Sequence, residues 1–152
     1  MKKKMDTGMY IRRLDNALRR RAEESPVLKQ VKNMSMMNGW LIVKLDEKEK
    51  EGVTVYQRDL ENELGITRSA ISRQLKLMEE KGLVTRPGNG EDARQKKIEL
   101  TDKARKLAAD LEQDGRETDA ILLKGFTAEE VKEVNQYLQR LIDNIEGNDS
   151  AR

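Results

Sequence analysis

The sequence predicts a mainly α fold with a small β-wing: a winged helix-turn-helix flanked by N- and C-terminal dimerisation helices. Three observations predict it. Residues 57–82 hold two short segments of helical period joined through Gly65-Ile66-Thr67, the length and turn chemistry of a helix-turn-helix. Leu83-Val84-Thr85-Arg86 and Lys97-Ile98-Glu99-Leu100 then read as strands around a loop that opens with Pro87-Gly88-Asn89-Gly90. Finally, aromatics are only 3% and charged residues 38% of the 152 residues, so one copy is short of large apolar groups and helices from a second copy are expected to complete its core. The organisation read from this is a helical dimerisation region, residues 1–32 and 101–152, around a winged domain, residues 33–100.

Composition excludes much chemistry. The chain has no cysteine and no histidine. It therefore offers no disulfide, no thiolate metal site and no thiol redox chemistry, and lacks the commonest metal ligand and the commonest general base. With no Gly-rich phosphate loop and no paired-carboxylate constellation, an enzyme is not expected, nor a cofactor. No apolar run approaches the roughly 18 residues of a membrane span. No signal-peptide core follows Lys2-Lys3-Lys4, so the expected location is the cytoplasm, with no membrane partner. The net charge of +2 conceals an uneven distribution. Residues 1–32 carry a net +6 and residues 66–97 a net +4, against −3 for 33–65 and −5 for 98–152. The two basic stretches are where a polyanion is expected to bind.

In the first helix Tyr10, Leu14, Ala17 and Leu18 recur at helical spacing beside Ile11, with Arg12, Arg13, Arg19, Arg20 and Arg21 on the other faces. This is either a solvated amphipathic helix or one whose apolar stripe packs on a partner chain. Ser25-Pro26 ends it. Ser35 is placed to cap a second helix, whose buried side is read as Met37, Trp40, Leu41 and Leu45. Trp40 is taken as core, with a ligand-lining role as the alternative. Asn38-Gly39 is read as a weak point of this helix, since glycine there costs about 1 kcal/mol relative to alanine. Val53-Thr54-Val55 is expected to form a short strand at the edge of the wing sheet.

Gln57 to Leu64 is a two-turn helix with Leu60 and Leu64 inward, closed by Gly65 as a left-handed cap. Thr67 caps the next helix. There Ile71, Leu75 and Met78 face the core, while Ser69, Ser72, Arg73 and Lys76 lie opposite, with Arg68 in the first turn and Gln74 at the flank. Such a stripe in isolation is an ordinary solvated face. Between a preceding helix and a following wing it is expected to enter a major groove, where hydroxyls allow close approach and Arg73 can bond two acceptors of a guanine. From the loop, Arg94 is expected to reach a narrow minor groove, with Asp92 two residues away as its buttress.

Thr101 caps a long helix with Ala104, Leu107, Ala108 and Leu111 on one side, continued by Thr118, Ile121 and Leu122, and with Gly115 midway as a candidate bend. Thr127-Ala128-Glu129-Glu130 is a capping box. It opens a helix in which Val131, Val134, Leu138, Leu141 and Ile145 recur at alternating steps of three and four. That seam suits a two-fold dimer interface or one side of an intrachain hairpin.

These residues resemble the MarR (multiple antibiotic resistance regulator) family of bacterial transcription regulators. The matching stretches are Leu60 to Ile66 (LENELGI), Ser72-Arg73, Leu77 to Val84 (LMEEKGLV) with Arg86, Asp92-Ala93-Arg94, and Ile98 to Thr101 (IELT). Trp40 is similar to the family's frequent aromatic in the second helix. The resemblance follows the element order end to end and is most specific over residues 55–105. It implies a homodimeric regulator, read as a repressor. Such a dimer binds a pseudo-palindromic duplex site through the second helix of the motif and the wing, and answers to a small anionic or phenolic ligand held between dimer helices and winged domain. Arg12, Arg13 and Trp40 are the candidates to line that cleft. The departures are Tyr56, where the family has a hydroxyl cap, and Gly39, where it has a long polar residue. The absence of Cys and His argues against the peroxide- and zinc-sensing branches. The alternative function is a winged-helix protein-interaction module without DNA binding.

Overall fold

Most helices start at a short polar side chain placed to cap them. In the computed structural model, which describes residues 4, 6–87 and 97–149, α1 spans Thr7–Glu24 and opens with the Met9 amide donating to Asp6 Oδ1 at 2.9 Å. It ends at Ser25, which is extended ahead of Pro26. After a 3-10 turn at Leu28–Gln30, α2 covers Met36–Lys50. Its first turn is closed reciprocally: the Asn38 amide donates to Ser35 Oγ at 3.1 Å and the Ser35 amide to Asn38 Oδ1 at 3.0 Å. α3 is Gln57–Leu64, ended by Gly65 at φ 61°, and α4 is Arg68–Glu80, capped by Thr67 Oγ1 on the Ala70 amide at 3.2 Å. α5 runs unbroken through Gly115 from Asp102 to Leu122. α6, Ala128–Asp149, starts with Thr127 and Glu130 bonding each other's amides at 3.2 and 2.8 Å. Each such cap contributes about 1 kcal/mol.

Three strands make an antiparallel sheet in the order β1 (Val55–Tyr56), β3 (Lys97–Leu100), β2 (Val84–Thr85). Val55 lies opposite Ile98, and Val84 opposite Leu100. This register turns Ile98 and Leu100 inward, each only 3% exposed. The edge strand was expected over residues 53–55 and forms at Val55–Tyr56, starting two residues later, because these are the residues that meet β3.

Contacts divide the chain into a unit of residues 1–115 and a unit of residues 116–152. The first contains the core. Leu41, Ile42 and Leu45 from α2, Leu60 from α3, and Ile71, Leu75 and Met78 from α4 are all fully buried or within 1% of it. Leu83, Val84, Ile98 and Leu100 close it from the wing side, and Ala104, Leu107, Ala108 and Leu111 from α5. The apolar residues of the first half of α1 stay outside: Met9, Tyr10, Ile11 and Leu14 are all exposed, while Ala22 near its end packs against the core. The second unit holds the end of α5 and all of α6. Leu138, Leu141 and Ile145 of the expected seam are exposed, and so are Ile121, Phe126 and Tyr137.

The buried side of α2 differs from the one read in the sequence. Met37 and Trp40 are exposed, Trp40 at 42%, while Asn38, Gly39 and Ile42 are buried. The helix is apolar on several faces, so hydrophobicity alone does not choose the inward one. Gly39 chooses it. A Cβ built there would lie 3.1 Å from Leu28 Cδ2 and 3.2 Å from Leu111 Cδ2. The missing side chain lets α2 sit close to both leucines, whose ends would have to give by a few tenths of an ångström to admit a Cβ. Gly39→Val is expected to destabilise the protein by about 1–3 kcal/mol through overpacking, measured as a lower urea midpoint.

Candidate nucleic-acid interface

The two faces of α4 are sorted by its packing. With Ile71, Leu75 and Met78 at 0% exposure, the helix can rotate no further without exposing a leucine. That fixes Arg68, Ser69, Arg73 and Lys76 outward as exposed residues and leaves Ser72 and Gln74 half-buried. Thr67 Oγ1 and Ser69 Oγ are 3.2 Å apart, so the cap and the first outward hydroxyl share a hydrogen bond. The structure thus brings all six α4 candidates to one short helix and its N-terminal turn. Asp92 and Arg94 lie outside the described residues.

The far end of α4 is tied to three other segments. The Thr101 hydroxyl donates to the Gly82 carbonyl at 2.6 Å, and the Thr101 amide to the Leu83 carbonyl at 3.1 Å. Lys103 Nζ donates to the Lys81 carbonyl at 3.0 Å. Lys81 Nζ itself donates to the Asn33 carbonyl at 2.6 Å. The Lys103 bond satisfies a carbonyl that the helix end leaves unpaired, and together these bonds tie α4 to the start of α5 and the turn before α2. Arg86, just past β2, is a further link that the sequence did not reveal. Its Nε donates to Glu79 Oε1 on the last turn of α4, and its Nη1 approaches Gln57 Oε1 at 3.5 Å on the first turn of α3.

The root of the wing is anchored separately. Glu49, near the end of α2, accepts from the Leu100 amide at 3.1 Å and from Arg105 Nε at 2.9 Å. Beside them Leu45, Val55, Ile98 and Lys97 line a cavity of about 270 Å³. Burial pushes the Glu49 carboxyl up, but the Arg105 guanidinium and the Leu100 amide outweigh it and hold the pKa below the usual carboxylate value. A folded-state pKa below the unfolded one stabilises the protein above the unfolded value, and that contribution disappears as pH falls through the folded value. Glu49→Gln is therefore expected to cost about 0.5–1 kcal/mol at neutral pH, given a half-exposed pair. The difference from the parent should vanish in acid-side urea titrations once Glu49 is protonated.

The three candidate ligand residues are not gathered into that cavity. Arg12 and Arg13 are exposed on α1. Trp40 stands on the outer side of α2, with Lys44 Nζ 5.8 Å from its ring centre. Lys44 in turn pairs with Glu63 of α3 at 2.5 Å, and this bond raises the ammonium pKa. Among the described residues no group of His, Cys, Asp or Glu has the arrangement of a metal site. Among the same described residues no helix is long and apolar enough to cross a membrane.

Comparison with known proteins agrees with this architecture. Residues 47–95 match the model of the MarR family. Over nearly its whole length the chain resembles the transcription regulator MarR from Oenococcus oeni PSU-1, with 28% identity and a TM-score of 0.73, covering 91% of this chain and 99% of that one. MepR of S. aureus, solved as a DNA complex, gives 22% identity and a TM-score of 0.77 over 93% of this chain and 99% of that one. The heme sensor PefR from Streptococcus agalactiae, solved with heme, gives 24% identity and a TM-score of 0.60 over 90% and 88%. The family resemblance read from the residues and the winged-helix fold are both borne out.

Proposed function

We propose that this MarR-like chain is a sequence-specific regulator of transcription that binds duplex DNA as a homodimer, a repressor released by a small ligand. One observation carries the DNA-binding part. α4 presents Arg68, Ser69, Arg73 and Lys76 to solvent, with Ser72 and Gln74 half-buried beside them, opposite a stripe that is wholly buried. Its orientation is thus set by the core before any ligand arrives. A short helix with hydroxyls and a guanidinium on its open face fits a major groove, and MepR, of the same fold, was solved on DNA. Arg94, backed by Asp92, is assigned the flanking minor groove.

Dimerisation is supported by the apolar residues left exposed in each unit: Tyr10, Ile11 and Leu14 on α1, and Leu138, Leu141 and Ile145 on α6. Exposed apolar residues at helical spacing on each of these helices suit an interaction site, which a two-fold pairing would cover with copies of itself. For the effector, PefR supplies the precedent of this fold holding a small ligand. Arg12, Arg13 and Trp40 are assigned to an anionic or phenolic ligand, because a guanidinium pairs with an anion and an indole stacks on a ring.

Selection of bound fragments from genomic DNA tests the reading. The expected outcome is an enriched pseudo-palindrome with half-sites about 10 bp apart, bound less tightly as salt rises. Absence of any enriched sequence, with a stable dimer in hand, would favour a winged-helix module that binds protein.

A further inference from the structure

An arginine at the end of a wing strand, in a protein proposed to bind DNA, is most simply read as a phosphate contact. The geometry points to a different role, and we infer that Arg86 is a positioning residue that locks the recognition helix to the wing. Its side chain is only 16% exposed, less than half the exposure of its partner Glu79. The guanidinium is turned away from solvent, towards Glu79 on the last turn of α4 and Gln57 on the first turn of α3. Gln57 is 0% exposed, and its Nε2 bonds Glu61 at 3.4 Å. One planar cation therefore touches the first helix of the motif, the second helix of the motif and the wing strand.

The rest of the anchoring leaves this role open. Thr101 and Lys103 hold the backbone carbonyls after α4, and Lys81 ties the same end to the turn before α2. Glu49, paired with Arg105, holds β3 through the Leu100 amide. Of these bonds, only those of Arg86 connect α4 to β2 through side chains. A fork-shaped donor fits the task, because a guanidinium can serve two acceptors at a fixed angle where an ammonium cannot. What it fixes is the angle between the helix assigned to the major groove and the wing assigned to the minor groove, which must be right at once for one duplex.

This inference rests on the proposed DNA binding, and its test separates the two. Arg86→Gln and Glu79→Gln are compared with the parent on the selected operator, on random duplex of equal length, and over a range of salt. For a positioning link, both variants lose roughly tenfold in operator affinity, as for one hydrogen bond to a charged group. Both keep random-duplex affinity and the salt slope, and the double variant is no weaker than either single one. A phosphate contact predicts otherwise. Arg86→Gln would then lower the slope by about 0.9 and weaken all duplexes alike, while Glu79→Gln, by removing a nearby negative charge, would tighten binding. Either result overturns the inference. A measurement without DNA runs beside these. Amide hydrogen exchange at Val84, Thr85 and Leu77–Glu80 is expected to speed up in both variants while α6 is unchanged. Unaltered protection there overturns the inference even if the parent binds no DNA, the result by which the proposed function itself would fail.

Discussion

Replacing Arg73 with alanine is expected to weaken binding to the selected operator by about 1–3 kcal/mol, roughly 5- to 150-fold, and to relax the preference at one position of each half-site. Arg73 is exposed on α4. It lies between Ile71 and Leu75, which are fully buried, so the backbone carrying it has little freedom to drift. The cost of ordering on a guanine edge then falls on the Arg73 side chain rather than on the backbone. Alanine leaves the helix intact, as it is the best helix former, so the unfolding midpoint should hold while affinity falls. The check is a titration at one fixed salt concentration against the operator and its single-base variants. Unchanged affinity for all of them would remove Arg73 from the readout.

Leu75→Ala acts on the opposite face of the same helix and is expected to cost about 2–5 kcal/mol of folding stability. Leu75 is 0% exposed, in the cluster that holds Leu41, Leu45 and Leu60 with the wing residues Leu83 and Ile98. The neighbours come from several elements and cannot all collapse into the space vacated. Since domains of this size are stable by about 5–15 kcal/mol, the loss removes a large share of the total. Urea unfolding should show a lower midpoint with the slope unchanged. Operator affinity, measured where the variant is still folded, should fall much less than in Arg73→Ala. The two substitutions, two residues apart in sequence, thus separate holding from reading.

Element boundaries were the most legible part of the chain, because they rest on local chemistry. Ser35, Thr67, Thr101 and Thr127 each bond an amide of the turn that follows, and Gly65 takes the left-handed conformation its position demanded. The inward stripe of α4 was legible for the same reason: its apolar residues occur at only one phase of the helical period. α2 was not. Met37, Trp40, Leu41 and Ile42 are all apolar, and which of them turn inward depends on Leu28 and Leu111 lying against Gly39. Those contacts are distant in sequence, and no local pattern carries them. Arg86 was opaque in the same way. A basic residue after a β-branched strand looks ready for a phosphate, and only the fold brings Glu79 and Gln57 within its reach.

The short sheet has a consequence for how such a protein can change. β3 is the central strand, each outer strand is two residues long, and the chain leaves β2 at Thr85 and returns at Lys97. Both ends of that connection are pinned by partners elsewhere: Arg86 to Glu79 on one side, and the Leu100 amide to Glu49 on the other. Loop closure depends only weakly on length, about 0.6 kcal/mol for each doubling. Changes of length after Arg86 and before β3 should therefore be tolerated by the folded body. The length of that connection can then change while α4, held by the core, stays where it is.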